Sequence, residues 1–315
     1  MKRDLNTKKK DISNFLVTAA NIEKSSGIDD VFFNKFDITW AKNSRDSFSK
    51  TTLIHPVEVD GPSRHGIVPD ENIVYEFNNE WFRSDDFIVD HSEKYHVLFA
   101  GCSETEGVGS SLDTVWTKML HESLKNDYDI GGFYSVAKSG FGWQKIITSV
   151  MIYIKKYGTP THLFILLPNI DRMFKWFDSE RIWRYIQRFP IGVGDPKEHD
   201  GMRSATEEEH MEMLINFIIS WKLFEQYCKL LNIKVLWTTW DSEENENHRI
   251  FNQSENFFIG HTDTELANFI KAHRPDGKLE EDDLNRRDGH SGKLYHMFWK
   301  ENFYNEINKR GLFND

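Results

Sequence analysis

The chain has 315 residues, 39% hydrophobic and 28% charged, which fits a soluble folded protein with room for one large α/β domain and additions. A formal charge of -11 disfavours nucleic acid as a general partner, because a polyanion meets a repulsive average field. The two cysteines, Cys102 and Cys228, are too few for a disulfide framework or a zinc cluster, and no apolar run approaches the ~18 residues that span a membrane.

The basic run from Lys2 to Lys10 has no apolar stretch behind it, so no signal peptide is expected. The expected setting is a cytoplasm or a viral particle. Residues 1–90 read as an irregular N-terminal extension with short strands, such as Ile73 to Phe77, punctuated by Pro56, Gly61-Pro62 and Gly66. Residues 91–315 read as the main domain. His96 to Ala100 is a short apolar run, as a buried parallel strand should be. Residues 111–125 follow as a helix, with Leu112, Val115, Trp116, Met119, Leu120 and Leu124 at helical spacing. A second strand is expected over 133–137, a second helix over 142–156 and a third strand over 161–167.

Residues 170–204 then hold Trp176, Trp183 and Tyr185 among charges and turns, which reads as an aromatic-rich insertion. An amphipathic helix over 205–231, a strand over 233–239, a short helix near 263–272 and a final helix over 292–309 complete the pattern. This order predicts an open parallel sheet with helices on both faces, a three-layer α/β/α fold of flavodoxin-like type. Ligands of such sheets sit at the carboxyl ends of the strands, which directs attention to the loops after residues 100, 137, 167 and 239.

Three of those loops carry suitable chemistry. The first, Gly101-Cys102-Ser103-Glu104-Thr105-Glu106-Gly107, sets a serine on a turn between strand and helix, although Ser103 also fits the role of a helix cap. The second, Ser139-Gly140-Phe141-Gly142, offers an N–H with no side chain in the way, and equally fits an ordinary turn. The third, Pro168-Asn169-Ile170-Asp171, offers a side-chain amide, and equally fits a turn-forming Asn. Near the C-terminus, Asp288-Gly289-His290 sets a carboxylate beside an imidazole, with His296 further on; a polar helix entry fits this segment too.

Together and in this order, these blocks resemble the SGNH/GDSL hydrolase family. VLFAGCSETEGVG is close to the GCSxTxG variant of that family's first block; the second block appears as SVAKSG and the third as LLPNID, and DGHSGKLYH matches the last. YEFNNEWFRSDDF is similar to the Asn…Phe-Arg stretch that often precedes the first block. The resemblance implies a serine-dependent carboxylic-ester hydrolase with no cofactor or metal. It further implies Ser103 as nucleophile, His290 as general base and then acid, and Asp288 as the residue that orients His290. The implied oxyanion hole is the N–H of Ser103, the N–H of Gly140 and the amide of Asn169. The chain departs from the family pattern at Cys102, Ser135, Leu167 and Ile170. Cys102 reads as a small buried filler.

Trp143, Trp176, Trp183 and Tyr185 are candidates for binding substrate, with packing of the insertion as the alternative. The expected partner is an ester or acylated carbohydrate, and the finer expectation is carbohydrate O-deacetylation. Three alternatives stand beside it: acyl transfer on the same triad, a non-catalytic binding module that keeps the fold, and a metal hydrolase using Asp288, His290 and His296. The last lacks a standard ligand spacing.

Overall fold

The computed structural model describes residues 52–54, 74–80, 82–89, 91–139, 141–170, 173–177, 182–186, 207–240, 254–260, 262–276 and 290–314. All of them fall in one compact unit, Ser49–Asp315. Its centre is a parallel sheet of β3 (Val97–Gly101), β4 (Tyr134–Ser135), β5 (His162–Leu167) and β8 (Lys234–Thr239), in the order β4-β3-β5-β8. That is a flavodoxin-like order, in which the chain moves one way from the first strand and then returns past it. The sheet's register runs from Val97 opposite His162 to Gly101 opposite Leu166, and onward from His162 opposite Lys234. Two antiparallel pairs lie apart from it: β1 (Thr52–Ile54) with β2 (Val74–Glu76), and β6 (Met173–Phe177) with β7 (Ile182–Ile186).

The strands form where the sequence runs apolar without a helical period. Every residue of β3 and β5 is buried, as strands covered on both faces require. Alternation sends Val97, Phe99, Phe164, Leu166 and Leu236 to one face. There they meet helices α2 (Trp116–Asp127) and α6 (Lys293–Arg310) through Trp116, Leu120, Phe298 and Phe303. Trp116 and Phe303 stack with ring centroids 4.6 Å apart, and Phe99 meets Trp116 edge-on at 5.9 Å. The other face is covered by α3 (Trp143–Tyr157) and α4 (Glu207–Leu230), with Trp221 against Trp237 at 5.1 Å. Helix α5 (Asp263–His273) is capped at Thr262, whose hydroxyl accepts from Glu265 N–H at 3.2 Å. Among the described residues no helix is long and apolar enough to cross a membrane.

Two differences from the sequence pattern go with contacts made in the fold. The helix expected over 111–125 is broken: Leu112–Thr114 is a single 3₁₀ turn, Val115 is extended, and α2 starts at Trp116. Val115 packs into the space left by the missing side chain of Gly107, where a Cβ would come within 2.1 Å of Val115 Cγ2. The polar stretch after β8 also extends the sheet. Trp237 N–H donates to Asn256 at 3.0 Å, Phe258 N–H donates to Trp237 at 3.1 Å, and Trp237 bridges Phe257 in parallel. The side chain of Glu225 fixes this edge, accepting from Trp237 Nε1 at 2.8 Å and Asn256 Nδ2 at 3.0 Å.

Asn78 to Glu80 and Phe82 to Val89 are bonded to the rest of the unit and to each other. Asp85 N–H donates to Phe133 at 3.0 Å, and Asp85 Oδ2 accepts from Phe133 N–H at 2.7 Å, beside the short strand β4. Asn78 Oδ1 folds this segment by accepting from Phe82 N–H at 3.0 Å.

Gly101 ends β3 where the chain turns back over itself. A Cβ there would lie 2.0 Å from Thr105 Oγ1 and 2.8 Å from the Leu166 carbonyl, which is backbone and cannot step aside. Gly101→Ala is expected to cost about 3 kcal/mol in denaturant unfolding, the upper range for overpacking. A loss below about 0.5 kcal/mol would show that the turn can relax.

Candidate active site

The turn after β3 is tightly bonded. Thr105 and Glu106 N–H both donate to the Cys102 carbonyl, at 3.1 and 2.9 Å, starting the single-turn helix α1 (Ser103–Glu106). Gly107 N–H at 2.8 Å and Val108 N–H at 3.0 Å then close onto the Ser103 carbonyl. Gly107 takes the left-handed conformation with φ 77°, which favours glycine. Ser103 is thereby held at the carboxyl end of the sheet and is 6% exposed. Cys102 forms no disulfide and is fully buried, in keeping with a filler rather than a surface group.

Arg83 reinforces the turn from outside. Its Nη1 donates to the carbonyls of Gly107 at 2.8 Å and Glu106 at 3.3 Å, both among the carbonyls that a helix leaves without intrahelical partners at its end.

The second loop lies against the first. Val136 N–H donates to Phe99 at 2.9 Å, Lys138 N–H reaches Gly101 at 3.4 Å, and Phe141 N–H closes onto Lys138 at 3.1 Å. The shortest link comes from a side chain: Ser139 N–H donates to Glu106 Oε2 at 2.6 Å. Glu106 thus ties the serine turn to the second loop. Its carboxyl is pushed above the usual carboxylate range by burial, opposed by Lys138, by the Ser139 bond, by Arg83 and by His290. Burial pulls Lys138 down, against the attraction of Glu106. Lys145, only 2% exposed on the first turn of α3, is pulled down to about 6 by burial and then by Lys138.

The C-terminal segment approaches from the far end of the chain. Ser291 N–H donates to Glu104 Oε2 at 3.2 Å, across 187 positions of sequence. His290 is half-buried, its Nδ1 is screened from solvent, and its charge is felt by Glu106. His296 is buried in the first turn of α6, its N–H donating to Gly292 at 3.1 Å. Among the described residues no group of three or more His, Cys, Asp or Glu side chains could hold a metal ion.

Of the remaining expected residues, Asn169 is half-buried just beyond the end of β5. Trp143 is buried and meets Phe217 at 5.7 Å. The hairpin register pairs Trp176 with Trp183 and Phe174 with Tyr185. The side chains of Trp176, Trp183 and Tyr185, and the whole of Gly140 and Asp288, lie outside the described residues. The sequence reading named Ser103 and His290 but gave no role to Glu106, Lys138 or Lys145. Arg83 had a signal, the Phe-Arg pair ahead of the first block. Glu106 had one too, three residues after Ser103 on one turn, but charges at such positions are usually solvated.

No family model matches the chain, and no curated protein matches it. Among solved structures it is similar to the psychrotrophic esterase EstA from Pseudoalteromonas sp., with 14% identity, 70% of this chain and 98% of that chain covered, and a TM-score of 0.39. It is similar to a catalytic mutant of Axe2, an acetylxylan esterase from Geobacillus stearothermophilus, with 14% identity, 69% and 95% covered, and a TM-score of 0.39. A member of the lipolytic protein G-D-S-L family from Veillonella parvula is similar at 10% identity, with 66% and 96% covered and a TM-score of 0.33.

Proposed function

We propose that this chain hydrolyses carboxylic esters with Ser103 as nucleophile, His290 as general base and Asp288 as the residue that orients His290. One observation carries the reading: the Ser291 N–H bond to Glu104 Oε2 at 3.2 Å ties the histidine-bearing segment to the helix that begins with Ser103.

In this reading His290 Nε2 takes the Ser103 proton as Oγ attacks the ester carbonyl. The negative oxygen of the tetrahedral intermediate accepts from the N–H of Ser103, the N–H of Gly140 and the amide of Asn169, each worth roughly 10²–10³ in rate. The C–O bond to the alcohol then breaks, with the imidazolium giving its proton to the leaving oxygen. Water attacks the acyl-enzyme by the same route in reverse. Glu106 keeps the two donor-bearing loops in register, and a loosening well under 1 Å would lower the rate. In this reading Asp288 accepts from His290 Nδ1–H and fixes the ring's tautomer. For the substrate, the proposal is an acetylated carbohydrate, supported by the aromatic content of the 173–186 hairpin.

Ser103→Ala is expected to lower p-nitrophenyl acetate turnover on the order of 10⁴-fold or more. Undiminished turnover in that variant would end the proposal; release of acetate from acetylated xylan, compared with transfer to an added alcohol, tests the substrate and the reaction type. Glu106→Gln should lower kcat about 10-fold with KM unchanged, because the replacement loosens the bond that holds Ser139 N–H. It also has a pH signature. A carboxyl whose folded pKa is raised holds a proton that the unfolded chain has released, so its effect on stability worsens as pH rises between the two values. Relative to the native protein, Glu106→Gln should therefore gain stability across that window and keep the gain at neutral pH. A loss that grows with pH would mean that the nearby cations outweigh burial.

A further inference from the structure

Helix α4 carries apolar side chains on two opposite faces. Met213, Phe217, Trp221, Phe224 and Cys228 are buried on the side that meets the sheet. Across the helix, Met211, Ile215, Ile219, Leu223 and Leu230 are 52, 51, 54, 65 and 40% exposed. The first four recur at every fourth residue, which makes them one continuous ridge. From Met211 to Leu230 the apolar face extends about 29 Å at 1.5 Å per residue. A helix at the surface of a monomer presents polar residues on its outer face; a ridge of large aliphatic side chains marks a contact.

We propose that this ridge joins two copies of the chain, with the two α4 helices antiparallel about a twofold axis at Ile219. Self-complementarity and charge select a second copy. Reversed about Ile219, the centre of the ridge matches itself: Ile219 meets its counterpart, Ile215 meets Leu223, and Met211 falls opposite Tyr227. The same register puts the exposed Glu212 opposite Gln226, one helical turn from Lys222 on one side and Lys229 on the other. A parallel pairing would set Glu212 against Glu212 and Lys222 against Lys222, and would align the two helix dipoles unfavourably. In a twofold contact each pairing off the axis occurs twice, so the Ile215–Leu223 and charged contributions double. Lys229 also pairs with Glu255 of its own chain at 3.0 Å, but an exposed pair of this kind is weak and leaves its ammonium able to turn.

The test is sedimentation of the full chain at micromolar concentration. The native protein should sediment as a dimer. Ile219→Glu and, separately, Leu223→Lys should each weaken the dimer on the order of 10²-fold, since each places two charges in the apolar centre. Both positions are more than half exposed, so an unchanged circular dichroism spectrum is expected in each. Glu212→Lys should weaken the dimer, and combining it with Lys222→Glu and Lys229→Glu should restore it. A native protein that stays monomeric, or Ile219→Glu and Leu223→Lys variants that dimerise as well as the native chain, would overturn the proposal. A charge reversal that fails to restore the dimer would overturn the antiparallel register.

Discussion

The arrangement of the site depends on one buried carboxyl group, that of Glu106. It sits on the turn that carries Ser103 and holds the Ser139 N–H at 2.6 Å, so the loops after β3 and β4 move together. Burial opposes its charge, while Lys138, Arg83 and His290 favour it. A charge in that position is costly without partners, and its partners come from three separate parts of the chain. Arg83 closes the arrangement from the N-terminal side by bonding the carbonyls that end the same turn.

The sheet supplies the rigid base for this turn. Gly101 is held between the Leu166 carbonyl and the Thr105 side chain, so strand end and helix start are in contact with no room for drift. Beneath it, Phe99 and Phe164 share a rung, and Trp116 and Phe303 fill the space above them. The far end of the domain is locked by its last residues. Phe313 stacks on His162 at 4.0 Å, and Lys234 Nζ and His162 Nε2 both reach the Leu312 carbonyl, at 2.7 and 2.9 Å. One end of the sheet is sealed by aromatic packing, and the opposite end carries the polar loops.

Much of this was legible in the sequence, for a physical reason. Strands buried on both faces leave apolar runs such as Thr161 to Leu167, and the helices between them leave a 3.6-residue period. Both signals are local. What escaped was set by contacts between distant segments. The break at Val115 depends on Gly107, eight residues earlier. The added sheet edge at Asn256 and Phe258 depends on the buried side chain of Glu225, which only the fold brings near. Charges on short turns, such as Glu106 and Lys138, look solvated in sequence and are buried in the molecule. Helix α4 reads as ordinary and amphipathic, yet its outer face keeps aliphatic residues that a simple period search assigns to the core.

The central claim is that His290 activates the Ser103 hydroxyl. The most direct measurement is the rate at which a serine-reactive fluorophosphonate modifies the protein as pH is varied, with the adduct located by mass spectrometry. The account predicts an adduct on Ser103, with the rate and its pH dependence lost in His290→Gln. An adduct elsewhere, or the same rate in both proteins, would contradict it.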